Sequence, residues 1–241
     1  MRVLVIGAGS LGGQFAAHLA RSGVDISLLD VDSAIVEVVT QHGLTVDGAF
    51  GRHTVDVPAF SEVSAAVAGG LYDAAFVHVD SNNTAAAGTS AKEALTPEGF
   101  CLQVQNGIGN VETLQAILGT SRVLGGSTMC SAANDGPGKP LLTHHGPTSI
   151  GEWSGGTSVR AQAVVALFAA AGYDALVDDD IQTKIWSKAI LNAAINPLCA
   201  ASGLRLGEMA RTPEMNALQD KVLQELFGAF GPLHLNLDFI V

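Results

Sequence analysis

The chain predicts an α/β fold, a doubly wound parallel sheet followed by a smaller all-helical domain, and three observations predict it. Short β-branched runs alternate with segments of helical period up to about residue 120. A glycine-rich turn separates the first such run from the first helical segment. From Ile181 to about residue 230 the apolar pattern is helical.

In order, "RVLVI" (2–6) is a strand stopped by Gly7. "LGGQFAAHLARSG" follows with helical spacing and ends at Gly23, a natural helix stop. "DISLLD" (25–30) reads as a second strand and "SAIVEVVTQHG" (33–43) as a second helix. "DAAFVHV" (73–79) and "GFCLQVQ" (99–105) read as further buried strands, and strands alternating with helices imply a parallel sheet covered on both faces. After about residue 120, "RVLGGSTMCSA", "PLLTHHG" and "TSIGEW" are short strand-like pieces joined by Gly and Pro. "SVRAQAVVALFAAAG" (158–172) is helical and "YDALVDD" reads as a last strand. The domain boundary falls near 180, giving domains 1–179 and 180–241, with no internal repeat and no low-complexity linker.

The totals fit that plan. With 241 residues, 48% hydrophobic and 15% charged, the chain can bury a sizeable core. Mean hydropathy is +0.33, yet no apolar run approaches the roughly 18 residues needed to cross a bilayer, so the excess is assigned to core or subunit interface. The N-terminal "MRVLVIGAGS" turns glycine-rich too soon for a signal-peptide core, and a cytoplasmic protein without a membrane partner is expected. Net charge of −11 argues against nucleic acid as a partner. "DDD" at 178–180 reads as a solvated loop. Cys101, Cys130 and Cys199 are far apart and odd in number; neither a disulfide framework nor a metal site follows, and they read as small core or near-core residues.

"GAGSLG" places Gly7, Gly9 and Gly12 as G-x-G-x-x-G. With 28 glycines in the chain the pattern alone is weak; its position between a strand and a helix opening near Ser10 makes it the dinucleotide-binding fingerprint of a Rossmann-type sheet. Gly7 would make the tight turn, Gly9 would let the backbone approach a pyrophosphate, and Gly12 would let helix and strand pack closely. The candidate phosphate cradle is Gly7, Ala8, Gly9, Ser10, Leu11 and Gly12, with helix N-terminal N–H groups facing the phosphates. A glycine-rich turn without ligand is the competing reading. Asp30 closes the second strand, 18 residues after Gly12. A carboxylate there accepts from adenosine ribose hydroxyls and repels a 2′-phosphate, which favours NAD(H) over NADP(H). The alternative is a turn or capping aspartate; Asp32 and Ser33 could cap the next helix equally well.

"QNGIGN" (105–110) ends a strand at the sheet edge where ligands bind in such folds. Asn106 offers an amide donor and acceptor to a nicotinamide or a substrate carbonyl; a plain Asn-Gly turn is the alternative. In "KIWSKAILNAAINPL" (184–198), Lys188, Asn192 and Asn196 recur every four residues on one face of a nearly apolar helix. Burying an ammonium and two amides costs several kcal/mol unless each finds a partner, so the ladder points to a site. Snorkelling of Lys188 and loop capping by the amides form the bland alternative. Asn196 precedes Pro197, which is expected to end or kink the helix there.

"GAGSLG", "QNGIGN", "GE" at 151–152 and "IWSKAILNAAINPL" at 185–198 stand in an order and spacing that resemble the ketopantoate reductases (2-dehydropantoate 2-reductases) from residue 1 to about 230. The W-x-K-x3-N-x3-N pattern is far more specific than the glycines. The resemblance implies reduction of a 2-oxo acid to a 2-hydroxy acid with NADPH, in pantothenate and coenzyme A biosynthesis. It implies Lys188 as the catalytic acid, Asn192 and Asn196 as residues that hold substrate or orient Lys188, and Asn106 near nicotinamide and substrate.

The resemblance is broken in three places. The second strand ends "LLDVD" where the family usually carries a base for the 2′-phosphate, although Arg2, Arg21 or Arg52 remain candidates for that contact. "VHVDSNNT" places Asp80 where the family has a Lys. The helical domain is short, and no residue matches the Ser and Glu that hold the substrate's carboxylate and hydroxyl in the family. A non-catalytic dinucleotide-binding relative and a reductase of another 2-oxo acid therefore stay open beside the ketopantoate reading. The apolar stripe Met215, Leu218, Val222, Leu226 and Phe230, with the tail "LHLNLDFIV", leads to an expected homodimer or higher oligomer and to weak or absent turnover.

Overall fold

The computed structural model describes residues 1–230. The elements are β1 (Arg2–Ile6), α1 (Ser10–Arg21), β2 (Asp25–Leu29), α2 (Ser33–His42), β3 (Leu44–Gly48), β4 (His53–Val55), β5 (Ala59–Phe60), α3 (Val63–Ala66), β6 (Tyr72–Val77), α4 (Thr84–Ala94), β7 (Leu95–Gln103), α5 (Asn110–Leu118), β8 (Val123–Thr128), β9 (Ser131–Asn134), β10 (Pro140–His144), β11 (Thr148–Glu152), α6 (Val159–Ala170) and β12 (Ala175–Val177). The helices α7 (Ile181–Ser202), α8 (Leu206–Met209) and α9 (Pro213–Phe230) follow. Two compact units divide the chain, the first Met1–Ile181 and the second from Gln182 onward.

The first unit is built on an eight-stranded sheet ordered β12-β11-β8-β7-β6-β1-β2-β5. β1 is parallel to β2 on one side, from Arg2↔Asp25 to Ile6↔Leu29, and to β6 on the other, from Val3↔Ala74 to Ile6↔Val77. Val3, Leu4 and Val5 are fully buried, as a central parallel strand covered on both faces requires. The sheet is mixed rather than wholly parallel: β11 runs antiparallel to β8, Thr148↔Thr128 to Glu152↔Leu124. The connection between those two strands is made by β9 and β10 and contains no helix, so the right-handed helical crossover that a parallel neighbour needs is missing there.

A second, four-stranded sheet, β4-β3-β10-β9, was not expected from the sequence. β3 lies parallel to β10, Leu141↔Asp47 and Leu142↔Gly48. It covers the side of α1 away from the main sheet. Gln14, fully buried, donates from Nε2 to the carbonyls of Pro140 at 2.7 Å and Asp47 at 3.1 Å, which fixes α1 between the two sheets. On the same helix Phe15 packs edge-on against His78, Phe168 and Tyr173 with centroids 5.3, 4.9 and 4.9 Å away.

In the second unit α7 continues through Pro197 to Ser202, so Asn196 does not end the helix. Pro197 cannot donate to the Ala193 carbonyl, but Ala193, Asn196 and Pro197 are exposed, and water can take that acceptor. The four-residue α8 carries a capping box in which the Arg205 N–H donates to Glu208 Oε2 at 2.8 Å. Of the apolar stripe on α9, Met215, Val222 and Leu226 are half-buried and Leu218 is 43% exposed. The tail "LHLNLDFIV" and the Phe230 side chain lie outside what is described.

Candidate active site

Strand order reverses at β1, whose neighbours β2 and β6 lead the chain in opposite directions across the sheet. In an open α/β sheet the crevice beyond the carboxyl ends of the strands at that point binds ligand. A cavity of about 460 Å³ lies there, with Gly7, Gly9, Ser10, Leu11, Asp30, His78, Asp80, Gln105, Asn106 and Asn134 among its lining.

Gly7 and Gly12 make the turn and the close packing that their spacing predicts. Gly7 has φ +96°, a left-handed conformation that a side chain would strain, and a Cβ there would sit 2.9 Å from the His78 carbonyl carbon. A Cβ on Gly12 would fall 2.0 Å from the Gly7 carbonyl oxygen, so α1 can approach the turn only because Gly12 has none. At Gly9 a Cβ would meet nothing within 4 Å, because it would project into open space at the cleft. Gly9 caps α1 without any side-chain bond, and Ser10 and Leu11 of the first turn, whose N–H groups have no partner within the helix, line that space. A bare backbone with unclaimed donors and the positive end of a helix dipole fits a pyrophosphate.

Asp30 bridges the turn to the second strand. Its Oδ2 accepts from the Ala8 N–H at 2.6 Å and its Oδ1 from the Asp32 N–H at 2.9 Å. Asp32, not Asp30, caps α2, accepting from the Ala34 N–H at 2.9 Å. Ala8 therefore contributes by holding Asp30, while Gly12 serves packing behind the cleft.

A polar network joins the loops after β6 and β7. The Asn106 carbonyl accepts from Ser81 Oγ at 3.2 Å and from Asn110 Nδ2 at 3.0 Å. Asn110, 4% exposed, also accepts from Thr84 Oγ1 at 2.9 Å and donates to Ser81 Oγ at 3.1 Å. Gln105 Nε2 donates to the Val79 carbonyl at 2.6 Å and to Thr84 Oγ1 at 2.9 Å. These bonds place the exposed Asn106 side chain on the cleft lining. The sequence singled out Asn106 and passed over Gln105, Asn110 and Ser81; the Asn106–Asn110 spacing across a helix start was the local signal.

His78 was also missed. It lines the cleft, its Nε2 is buried without a hydrogen-bond partner, and burial pushes its pKa down to about 4. Asp80, also in the lining, is exposed and makes no side-chain cap. Among the described residues of the first unit no Lys or Arg lines this cavity. Lys188, Asn192 and Asn196 stand on α7 in the second unit, Lys188 and Asn192 half-buried and Asn196 exposed.

Residues 3–155 match the sequence profile of ketopantoate reductase PanE/ApbA, and residues 180–238 match that of its C-terminal part. The chain belongs to the ketopantoate reductase family. That makes it a member of an oxidoreductase family. It is 31% identical over 214 residues to the 2-dehydropantoate 2-reductase of Archaeoglobus fulgidus, spanning 89% of this chain and 68% of that protein. To the Halobacterium salinarum 2-dehydropantoate 2-reductase it is 30% identical over 228 residues, spanning 93% of this chain and 73% of the relative. The crystal structure of the Geobacter metallireducens 2-dehydropantoate 2-reductase superposes with a TM-score of 0.85 at 26% identity, covering 95% of this chain and 74% of that one. A D-mandelate dehydrogenase in complex with NADH shares the fold, with a TM-score of 0.78 at 20% identity and coverage of 98% and 83%.

In this ketopantoate reductase family member the "GE" pair has a structural role. Arg160 on α6 grips Glu152 at the end of β11 through two bonds, Nε to Oε1 at 2.7 Å and Nη2 to Oε2 at 2.6 Å, and also donates to the Ser121 carbonyl. Burial pushes the Glu152 carboxyl up, but hydrogen bonds from Arg160 and Ser158 and the Arg160 charge outweigh it and hold it below its ordinary value. Among the described residues no helix is long and apolar enough to cross a membrane.

Proposed function

We propose that the chain reduces a 2-oxo acid to a 2-hydroxy acid, most like 2-dehydropantoate to pantoate, using a reduced nicotinamide dinucleotide held by the first unit. The observation that carries this is the uncapped start of α1 at Gly9, open to a cleft at the strand-order reversal, in a chain of the ketopantoate reductase family. Gly7, Gly9, Ser10 and Leu11 would hold the pyrophosphate, Asp30 the adenosine ribose and Asn106 the nicotinamide end. When bound, the dinucleotide supplies a hydride to the carbonyl carbon. Lys188 gives its ammonium proton to the carbonyl oxygen, which would otherwise become an alkoxide, and the neutral amine is reprotonated from solvent. Asn192 and Asn196, one and two turns further along α7, orient Lys188 and hold the substrate.

Two observations keep other outcomes in the test. Asp80 stands in the cleft where the family resemblance implies a Lys, which favours a dinucleotide binder without turnover. The shared fold with a D-mandelate dehydrogenase brings other 2-oxo acids into the panel. Oxidation of NADH and NADPH is followed with ketopantoate and a series of branched and aromatic 2-oxo acids. Turnover with ketopantoate supports the reading; turnover with other acids alone moves the substrate; binding of cofactor with no turnover refutes the enzyme assignment. Self-association through the α9 face bearing Leu218 belongs to the same proposal, and sedimentation equilibrium reads it.

A further inference from the structure

A second cavity of the first unit, about 300 Å³, adjoins the first and shares Gly7, Asp30, Val31, Val79 and Asn83 with it. It extends past the end of β2, where Leu29, Val63, Ala86 and Ala87 give apolar walls and Ser61, Glu62 and Ser90 polar ones. Val31 stands 93% exposed at the junction, an apolar surface at the mouth of a site that would take a flat ring. On the dinucleotide reading proposed above, this is where the adenosine half lies.

We propose that Asp30 and Glu62 together make this site select NADH and reject NADPH, with Glu62 as the second specificity-determining residue. The two residues are near neighbours by register. β5 runs parallel to β2 with Leu28↔Ala59 and Leu29↔Phe60, and the Asp30 N–H donates to the Phe60 carbonyl at 3.0 Å. Ser61 and Glu62 therefore leave the sheet beside Asp30 and Val31, one strand spacing away. Glu62 starts α3 but its side chain makes no capping bond, and it lines the cavity.

Asp30 cannot turn aside to admit a phosphate. Both of its oxygens are held, one by the glycine turn and one by its own loop. A carboxylate has about four acceptor positions, so two remain for the ribose hydroxyls, and a 2′-phosphate would remove that donor and place two negative charges there instead. No Lys or Arg among the described residues of the first unit lines either cavity. The cations suggested by the sequence stand elsewhere. Arg2 opens β1 at the opposite end of the sheet, bonded to the carbonyls of Gly69 and Gly70 and stacked over Tyr72. Arg21 closes α1, 11 residues beyond Ser10 and so about 16 Å along the helix, where it meets His53. Arg52 precedes that same His53 in the second sheet.

The test is calorimetric titration of the full chain with NADH and with NADPH, in the native protein and in Glu62→Lys and Asp30→Asn. Glu62 is exposed and makes no bond that folding needs, so its variant keeps the test clean if Asp30→Asn loosens the glycine turn. The native protein should bind NADH at least about tenfold more tightly than NADPH, and Glu62→Lys should narrow or invert that ratio by about tenfold. NADPH binding as tightly as NADH, or a ratio unmoved by Glu62→Lys, overturns this assignment and leaves the dinucleotide site standing. Binding of neither cofactor overturns both.

Discussion

Replacing Gly9 and Gly12 separately by Ala should split two properties that the glycine turn combines. At Gly12 the new methyl would lie 2.0 Å from the Gly7 oxygen, a backbone atom that no rotamer can move. Ordinary contact needs about 3.4 Å or more, so α1 must shift by over about 1 Å from a turn it packs against on one side, with Gln14 fixed to the small sheet on the other. Overpacking of this kind costs about 1–3 kcal/mol, occasionally more, against a helix-propensity gain of about 1 kcal/mol for Ala. A net loss of up to about 2 kcal/mol lowers Tm by up to roughly 4–8 °C in a chain of this size. At Gly9 the methyl meets no protein atom, and the cost is that of a poorer helix cap, about 0.5–1 kcal/mol for Ala in place of Gly. Gly9→Ala should therefore lower Tm by no more than about 4 °C and weaken dinucleotide binding at least about tenfold, because the methyl occupies the phosphate's space. Scanning calorimetry without cofactor and titration with NADH read the two effects. A Gly9→Ala variant that binds NADH normally would refute the placement of the pyrophosphate, and a Gly12→Ala variant of unchanged Tm would refute the packing argument.

Acid should destabilise the fold through His18. Its ring, 4% exposed, faces Gln14 Oε1 at 3.1 Å, His53, Phe50 and Tyr173, and burial, with His53 and Arg21, lowers its pKa to about 4. A lowered histidine pKa means the unfolded chain binds the proton first, so stability is complete above about pH 6.5 and falls toward pH 4, by about 2 kcal/mol at pH 5. Urea unfolding at pH 7.5 and 5 should show that loss, and His18→Gln should reduce it. Glu152→Gln should cost about 1–2 kcal/mol at pH 7 and nothing once pH has fallen through the depressed carboxylate pKa, read by the same unfolding curves. Asn110→Ala removes three bonds from a buried amide and should cost about 2–3 kcal/mol while weakening cofactor binding; unchanged affinity would separate the loop network from the site.

Much of the first unit was legible because its signals are local. β1, β2 and β6 are apolar runs whose side chains are buried on both faces, and Gly7 and Gly12 mark a turn that only glycine can make. The small sheet was not legible. β3 pairs with β10 nearly a hundred residues later, and no local period in "LTVDG" or "PLLTH" encodes that partner. Pro197 misled in the other direction: the pre-proline restriction is a tendency, and on an exposed stretch of a long helix water absorbs the lost bond. In the cleft, the sequence pointed to Asp30 and Asn106, whose positions follow from strand ends. It could not point to Glu62, His78 or Gln105, which reach the cavity through strand register and buried bonds and are unremarkable in their own segments.

The central claim, that Lys188 protonates a 2-oxo acid as hydride arrives from a dinucleotide held by the glycine turn, is tested by comparing native protein and Lys188→Ala in ketopantoate-dependent NADH oxidation, with NADH affinity measured alongside. The account predicts weak but measurable turnover in the native chain, in place of the absent turnover that the short helical domain left open, a fall in kcat of roughly 10²–10⁴-fold in Lys188→Ala, and an NADH affinity that stays within about twofold. Turnover that Lys188→Ala leaves intact would contradict it, as would a native chain that binds NADH and reduces no 2-oxo acid.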